Sequence, residues 1–511
     1  MSSNKKYWRS DFELNGDSKV IESLGKDEFT EDLPVVGFYE DKNELDSSNA
    51  SRRDFLKWVG FSTAAATVAA CEGPIKKSVP YVVQPDEIVP GVANYYATSI
   101  ANGYDFASVL VKTREGRPIK VENNDSAKVL GGANARVQAS VLSLYDKNRI
   151  QGPMANGAPI EWDNLDTAVA ARLNALADSD QKVVLVSHTK SSPSYNRLVA
   201  LFAEKYDNFE HLVYDAISSD SSLSAFEQRY GVRALADYDF SKADVIISFD
   251  ADFLGDWQGG GYSKGYTAHR KPENGTMSHH IQLESNMTLS GSNADKRIPL
   301  SQHQQKITLA KLYNTLKGQD ASGGSDASMD AYVSAMASKI KAVGTKAVVV
   351  CGLDDQMAQY ITLAINEMIQ SEAFDTNKPR YTAQGSLQKW NALLDDMEAS
   401  RVGMLLLDGV NPLYNSPDAD RFQSAMSKVG FTVSSAFLNN ETANASTFVA
   451  AASHFMESWG DMQVKAGFYG LTQPVIRELF DTRQFEACLL KWAGVEESYY
   501  DFVRQTWETS I

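Results

Sequence analysis

From residue 161 onward the chain alternates two hydrophobic rhythms. EWDNLDTAVAARLNALA places apolar residues at helical spacing, at Leu165, Ala168, Val169, Leu173 and Leu176. KVVLVS follows as a short continuous apolar run, the signature of a strand buried on both faces. The helical pattern SPSYNRLVALFAEKY comes next, then HLVYD, SSLSAFEQRYG and ADVIISF. Strands alternating with helices in this way predict a parallel sheet covered by helices. The rhythm pauses at KGQDASGGSDAS (317–328), a Gly/Ser/Asp-rich stretch that reads as a linker. It resumes with KAVVVCG, MAQYITLAINEMI, VGMLLLDG, DADRFQSAMSKVG and FTVSSAF. The pattern therefore predicts two α/β units in series, 151–345 and 346–470, then a helical C-terminal segment, 471–511.

Upstream the periodicity is different. ASVLVKT, the turn REG and RPIKVEN predict a strand pair within a small β unit spanning 94–150. Residues 72–93 are proline-rich, and proline fixes φ and interrupts ladders, so an extended linker is expected there. Residues 1–50 are polar, with acidic patches and no sustained period, which predicts an extended or disordered arm.

Between arm and linker lies SRRDFLKWVGFSTAAATVAAC (51–71). A basic head followed by a short apolar run and small residues is the layout of an export signal. The pair Arg52-Arg53 with Phe55, Leu56 and Lys57 resembles the twin-arginine signal that exports folded proteins. Val68-Ala69-Ala70-Cys71 resembles a lipoprotein box, which would put a covalent lipid on Cys71. The uncharged run Trp58–Ala70 is shorter than the ~20 residues that span a hydrocarbon core.

Composition narrows the function. The chain has 511 residues, 49 Lys plus Arg and 65 Asp plus Glu, hence a formal net charge of −16. That balance argues against a nucleic-acid partner, which wants basic surface. It suits steering towards basic partners such as c-type cytochromes. The three cysteines are Cys71, Cys351 and Cys488. Cys351 and Cys488 sit in apolar runs and read as small buried hydrophobes. No CxxCH and no cysteine cluster is present for haem, iron–sulfur or zinc.

Candidate chemistry is sparse. ADVIISFDADFLGDWQGGGYSKG (243–265) is a strand running into a glycine-rich loop, the kind of place where a backbone approaches phosphate. Its Asp250, Asp252 and Asp256 oppose that reading, since each carboxylate repels a pyrophosphate by roughly 1 kcal/mol when partly screened. LLLDGVNPLYNSPD (405–418) is a second strand exit, with Gly409, Asn411 and Pro412 at the turn. Any site is expected in one cleft where the strands 243–249 and 402–407 end, empty or filled by side chains such as Trp257 and Tyr262. His454 and Glu457 are three apart, a spacing that suits a metal or acid/base pair on one helix face, but a lone His-x-x-Glu is common by chance and reads first as a structural hydrogen-bonding pair. His279-His280, in a loop, lack partners nearby in sequence.

REGRPIKVENN followed by LYDKNRIQGPMANGAPIEWDNLDTAVAARL resembles the entry to the molybdopterin oxidoreductase superfamily, at Tyr145, Asp146, Arg149, Gly152 and Trp162. ADVIISF, the Gly409–Asn411–Pro412 loop and NETANASTFVAAASHFMESWGD resemble later motifs of that family, so the likeness runs from about residue 94 to about 470. It implies an α/β fold of two parallel-sheet units plus the small N-terminal β unit. Departures from the family pattern are as informative. ANYYATSIANGYDFASVLVKT lacks the cysteines that hold a [4Fe–4S] cluster in many members, and no C-terminal β-barrel follows. No residue stands out as a molybdenum ligand, although Ser191, Ser192 and Ser194 lie in a suitable place.

A cofactor-free domain of this type behind a twin-arginine signal is similar to the molybdopterin-like first part of the iron–sulfur subunits of alternative complex III, a bacterial quinol-oxidising assembly. That likeness implies no catalytic residue and no cofactor in this chain. Iron–sulfur clusters are implied only if the polypeptide continues past Ile511. The implied partners are a multihaem cytochrome c subunit, polytopic quinol-binding membrane subunits, a ferredoxin-like iron–sulfur domain and small lipoproteins, at the periplasmic side of the inner membrane. The competing class is an active exported molybdoenzyme acting on a small oxyanion or sulfur compound.

Overall fold

A computed structural model of the chain describes residues 91–322 and 327–510, all within one unit, Pro85–Ile511. The export signal with Arg52 and Arg53, the lipid candidate Cys71, the arm 1–50 and nearly all of the linker 72–93 lie outside the described residues.

The chain enters as three antiparallel strands, β1 (Asn94–Ala101), β2 (Phe106–Arg114) and β3 (Arg117–Asn123). The expected pair is thus a triplet, because β1 also pairs with β2 along its whole length. Glu115 and Gly116 turn the hairpin with φ of 46° and 73°, the positive pair that a two-residue hairpin turn demands. The helix Ala135–Leu144, capped by the Asn134 side chain, covers this sheet through Val137, Val141 and Leu144.

Next come the short ribbon β4 (Met154–Ala155) and β5 (Ala158–Pro159), then β6 (Lys182–Ser187) and β7 (Phe209–Val213). The chain then leaves through β8 (Leu235–Tyr238), β9 (Val245–Phe249), β10 (His279–Glu284), β11 (Lys296–Pro299), β12 (Ala347–Cys351) and β13 (Phe374–Arg380). It returns as β14 (Val402–Asp408), β15 (Thr432–Ala436) and β16 (Phe448–Ala451), and finishes its strands with β17 (Gly460–Lys465) and β18 (Phe468–Thr472).

Pairing sorts these into a seven-stranded sheet, β5-β4-β16-β15-β14-β6-β7, and a four-stranded one, β11-β10-β9-β12. The four-stranded sheet is parallel throughout, as are β16 to β7 of the larger one. A third, antiparallel sheet, β18-β17-β13-β8, joins residues from across the chain. No sheet closes into a barrel among the described residues.

The two parallel units are not in series. The second sheet is inserted between β7 and β14 of the first, and a boundary at 345/346 would cut β12 from its partner β9. The glycine-serine stretch joins two helices, Gln302–Leu316 and Asp330–Val343, that cover the same sheet. Hydrophobic period identifies strands and helices, but it carries no information on which strand a given strand will meet.

Both parallel sheets are covered on both faces. Val183 and Leu185 of β6 join the core beneath helices Trp162–Leu176 and Pro193–Lys205, while Val184 and Val186 pack under Leu387–Glu398 and Ala419–Met426. All seven residues of β14 and all five of β9 and β12 are buried, which is why they read as nearly continuous apolar runs rather than alternating ones. Among the described residues no helix is long and apolar enough to cross a membrane.

Candidate functional site

In open parallel sheets a ligand binds beyond the carboxyl ends of two adjacent strands whose connections run in opposite directions. The strand orders give two such points. In the larger sheet it lies between β6, which leads to β7, and β14, which leads to β15. In the smaller sheet it lies between β9, which leads to β10, and β12.

The β9–β12 exit opens into a cleft of about 930 Å³. Asp250 leaves β9 with φ of 59°, and Gly352 leaves β12 so closely that a Cβ there would sit 2.3 Å from the Asp250 carbonyl. Among the described residues Asp105, Asp215, Asp250, Asp252, Asp256 and Asp354 line the cleft, against one cation, Arg136. Arg136 is already spent: Nη2 donates to Asp105 Oδ1 at 2.7 Å and to Asp256 Oδ1 at 2.8 Å, and Nη1 to Asp256 Oδ2 at 2.9 Å. The guanidinium holds the Asp256 carboxyl below its usual range. Asp252 accepts from the Ser290 amide, and Asp354 from Ser221 Oγ.

The glycine-rich loop that borders this cleft is packed by protein. Gly259, Gly260 and Gly261 have φ of 80°, 75° and 88°. A Cβ on Gly261 would lie 2.3 Å from Leu130 Cδ2, and one on Gly259 would lie 3.1 Å from both Phe106 and Thr382. The Gly259 and Gly260 amides donate back to the Asp256 and Trp257 carbonyls. Arg380, ion-paired to Asp237, donates to the Gly260 carbonyl at 2.8 Å and stacks on the Tyr262 ring at 4.1 Å. Trp257 lines the cleft, whereas Tyr262 is buried behind it with Tyr238 and Phe240.

The β6–β14 exit is a separate place, so the single cleft expected from the sequence is two. Lys190 Nζ reaches Asp408 Oδ2 at 2.8 Å and Glu486 Oε1 at 3.1 Å, and lies 5.1 Å from the centre of the Tyr195 ring. The two carboxylates raise the lysine's pKa against the opposing effect of burial, which is the largest single influence on it. Tyr195 OH donates to Asp408 Oδ2 at 3.3 Å. Lys190 divides the space into cavities of about 350 and 200 Å³.

The three serine candidates follow Lys190. Ser191, with φ of 52°, donates its hydroxyl to the Tyr381 carbonyl. Ser192 and Ser194 donate theirs to the two oxygens of Asp461, Ser194 at 2.6 Å. Each serine oxygen is thus committed to a protein acceptor.

His454 and Glu457 form a reciprocal cap on a short 3₁₀ turn rather than a pair on one helix face. Glu457 takes a two-pronged ion pair from Arg149 at 2.6 and 3.1 Å, with both side chains fully buried. His454 Nε2 meets Ser143 Oγ at 3.0 Å, and burial pulls its pKa down to about 4. His279 and His280 open strand β10 instead of lying in a loop. His280 is buried against Gln282 and Tyr266, its pKa pushed down to about 4 by burial. Cys351 and Cys488 are buried free thiols, both pushed up to about 12 by burial.

Motif residues far apart in sequence meet. The Asn411 side chain accepts from Thr442 N and Oγ1 at 3.1 and 2.7 Å and donates to Glu441 at 2.8 Å. Trp162 Nε1 donates to Asp481 at 3.1 Å. Sequence reading missed Arg136, Lys190 and Asp461. Lys190 carried a signal, a lysine three residues beyond an apolar strand, but the partners of Arg136 lie 31 and 120 residues away.

No protein-family model and no curated protein matches the chain. Among solved structures the chain is similar to acetylene hydratase from Pelobacter acetylenicus, at 11% identity with a TM-score of 0.58, over 79% of this chain and 70% of that one. The fold is therefore the α/β, molybdopterin oxidoreductase-like one that the sequence motifs lead to expect.

Proposed function

We propose that this chain is a non-catalytic, cofactor-free scaffold domain of the molybdopterin oxidoreductase-like fold, within a quinol-oxidising respiratory complex of the alternative complex III type. The complex would pass electrons towards cytochrome c or a terminal oxidase. The domain would pack against a multihaem cytochrome c subunit, quinol-binding membrane subunits, a ferredoxin-like iron–sulfur domain and small lipoproteins. Export through Arg52-Arg53 and lipid at Cys71 would put it on the periplasmic face of the inner membrane.

The observation that carries this reading is the charge of the β9–β12 cleft. A pterin dinucleotide brings pyrophosphates, which need converging Lys, Arg or amide donors. Among the described residues this cleft offers six aspartates and one arginine already bonded to two of them. Two unit charges of one sign 4 Å apart repel by about 1 kcal/mol even in bulk water, and by more where water is excluded. The residues present do not fit that group, and no step is derived through it. The loop glycines Gly259 and Gly261 give their space to Phe106, Thr382 and Leu130 rather than to a phosphate.

Purification of the full-length chain from membranes of its host tests the proposal. Covalent haem and quinol-oxidising activity are expected to co-elute with it. Elution as a haem-free monomer would contradict the reading. Lysine at both Arg52 and Arg53 is expected to leave the protein in the cytoplasm, and normal export of that variant would remove the periplasmic assignment.

A further inference from the structure

The loop 187–194, which leaves β6 at the switch point of the larger sheet, has the makings of an anion seat. It presents the Thr189 amide and hydroxyl, the Lys190 ammonium, and the Ser192 and Ser194 groups at the N-terminus of the helix Pro193–Lys205. Amides at a helix start, hydroxyls and an ammonium ion around one strand exit are what a phosphate-bearing ligand uses. Each of these donors is nevertheless taken by a carboxylate of the chain itself. Asp215, just beyond β7, accepts from Thr189 N at 2.9 Å and Thr189 Oγ1 at 2.7 Å. Asp408, the last residue of β14, and Glu486, in the first turn of the helix Phe485–Ala493, hold Lys190 from two sides. Asp461, on β17, accepts from both serine hydroxyls, from the Ser194 amide at 3.3 Å and from Trp507 Nε1 at 2.9 Å.

We infer that the β6–β14 crevice is a ligand seat plugged from within, with the carboxylates of Asp408 and Asp461 standing where the anionic groups of a bound ligand would stand. The two come from strands far apart in the chain, so the plug ties β14 and β17 to one loop. In this role the carboxylates replace a ligand's charges as well as its cross-linking. Gly409 lets the β14 exit close down: its φ is 66°, and a Cβ there would sit 3.1 Å from His188 Cδ2. The inference deepens the cofactor-free reading and rests on it, by naming what took the ligand's place at one of the two crevices.

The test removes anions and keeps donors. In the full-length chain, Asp408→Asn with Asp461→Asn leaves Lys190, Ser192 and Ser194 in place with two carboxylates fewer. Inorganic pyrophosphate at about ten times its dissociation constant is expected to raise the melting temperature of this variant by about 1–2 °C. The parent chain, and the same variant carrying Lys190→Met as well, are expected not to shift. A folded double variant that ignores pyrophosphate, or a parent that responds as strongly, overturns the plug. The unsubstituted chain supplies a second measurement should the variant not fold. Amine acetylation is expected to label Lys190 at least about tenfold more slowly than exposed Lys120, because its ion pairs to Asp408 and Glu486 keep it protonated and shielded from the reagent. Equal labelling rates overturn the plug too. Molybdenum found in the protein would count against the cofactor-free reading, whereas the pyrophosphate response reports on this crevice alone.

Discussion

Arg149 and Glu457 show how far a single residue could be read. The sequence offers Glu457 as one half of a His-x-x-Glu spacing, read first as plain structural bonding and second as a metal or acid/base pair. The structure bears out bonding, because Glu457 meets a guanidinium that is fully buried with it and lies 4.6 and 5.1 Å from the centres of the Phe437 and Phe480 rings. Arg149 itself stands in the tyrosine-aspartate…arginine motif, yet nothing near it in sequence names a partner 308 residues away. Removing one member of a fully buried pair strands the other charge, at a cost of about 3–5 kcal/mol. Arg149→Met is therefore expected to lower the unfolding free energy in urea by that amount. A loss below about 1 kcal/mol would mean that the remaining donors to Glu457, the His454 and Leu479 amides, suffice.

Elements were the most legible scale. Runs such as VGMLLLDG and KAVVVCG are strands because a parallel strand buried on both faces favours apolar residues at nearly every position, with polar ones such as Asp408 at the strand exit. β1 was missed as a strand because its first half is half exposed and its pattern is irregular. Close approach between strand exits is likewise invisible in sequence, and it separates glycines that look alike. Gly116 has φ of 73° in the hairpin turn with open space around it, so Gly116→Ala is expected to cost only the left-handed strain, about 1–2 kcal/mol. Gly352 has no such φ, but its added methyl would strike the Asp250 backbone, which cannot rotate away. Gly352→Ala is expected to cost about 3 kcal/mol or more by forcing β9 and β12 apart. Equal melting temperatures for the two variants would contradict this picture of the β9–β12 exit.

At the scale of the whole molecule, the class of fold was legible and the threading was not. Local period gave the βαβ rhythm and weak motifs in order gave the fold, but the insertion of one sheet within another depends on contacts made across more than a hundred residues. The site was half legible for the same reason. Asp250, Asp252 and Asp256 announced an acidic cleft, while Asp105, Asp215 and Asp354 reach it only through the fold.

The same burial sets the response to acid. His211, His280 and His454 are held to about 4 by burial, against about 6.5 in an unfolded chain. Their folded pKa values are depressed, so their contribution is complete above pH 6.5 and lost as pH falls from 6.5 towards 4. Each steepens the loss by up to about 1.4 kcal/mol per pH unit in that window. Melting temperature is expected to hold from pH 8 to 6.5 and then to fall steeply, and a flat profile down to pH 4.5 would contradict the burial of these rings.

The central claim is that the fold is kept without its cofactor, as a packing surface in an electron-transfer assembly. Elemental analysis of the purified full-length protein, quantified against chain concentration, tests it most directly. The account predicts molybdenum and tungsten far below one atom per chain. One atom of either metal per chain would contradict it and would favour an active exported molybdoenzyme.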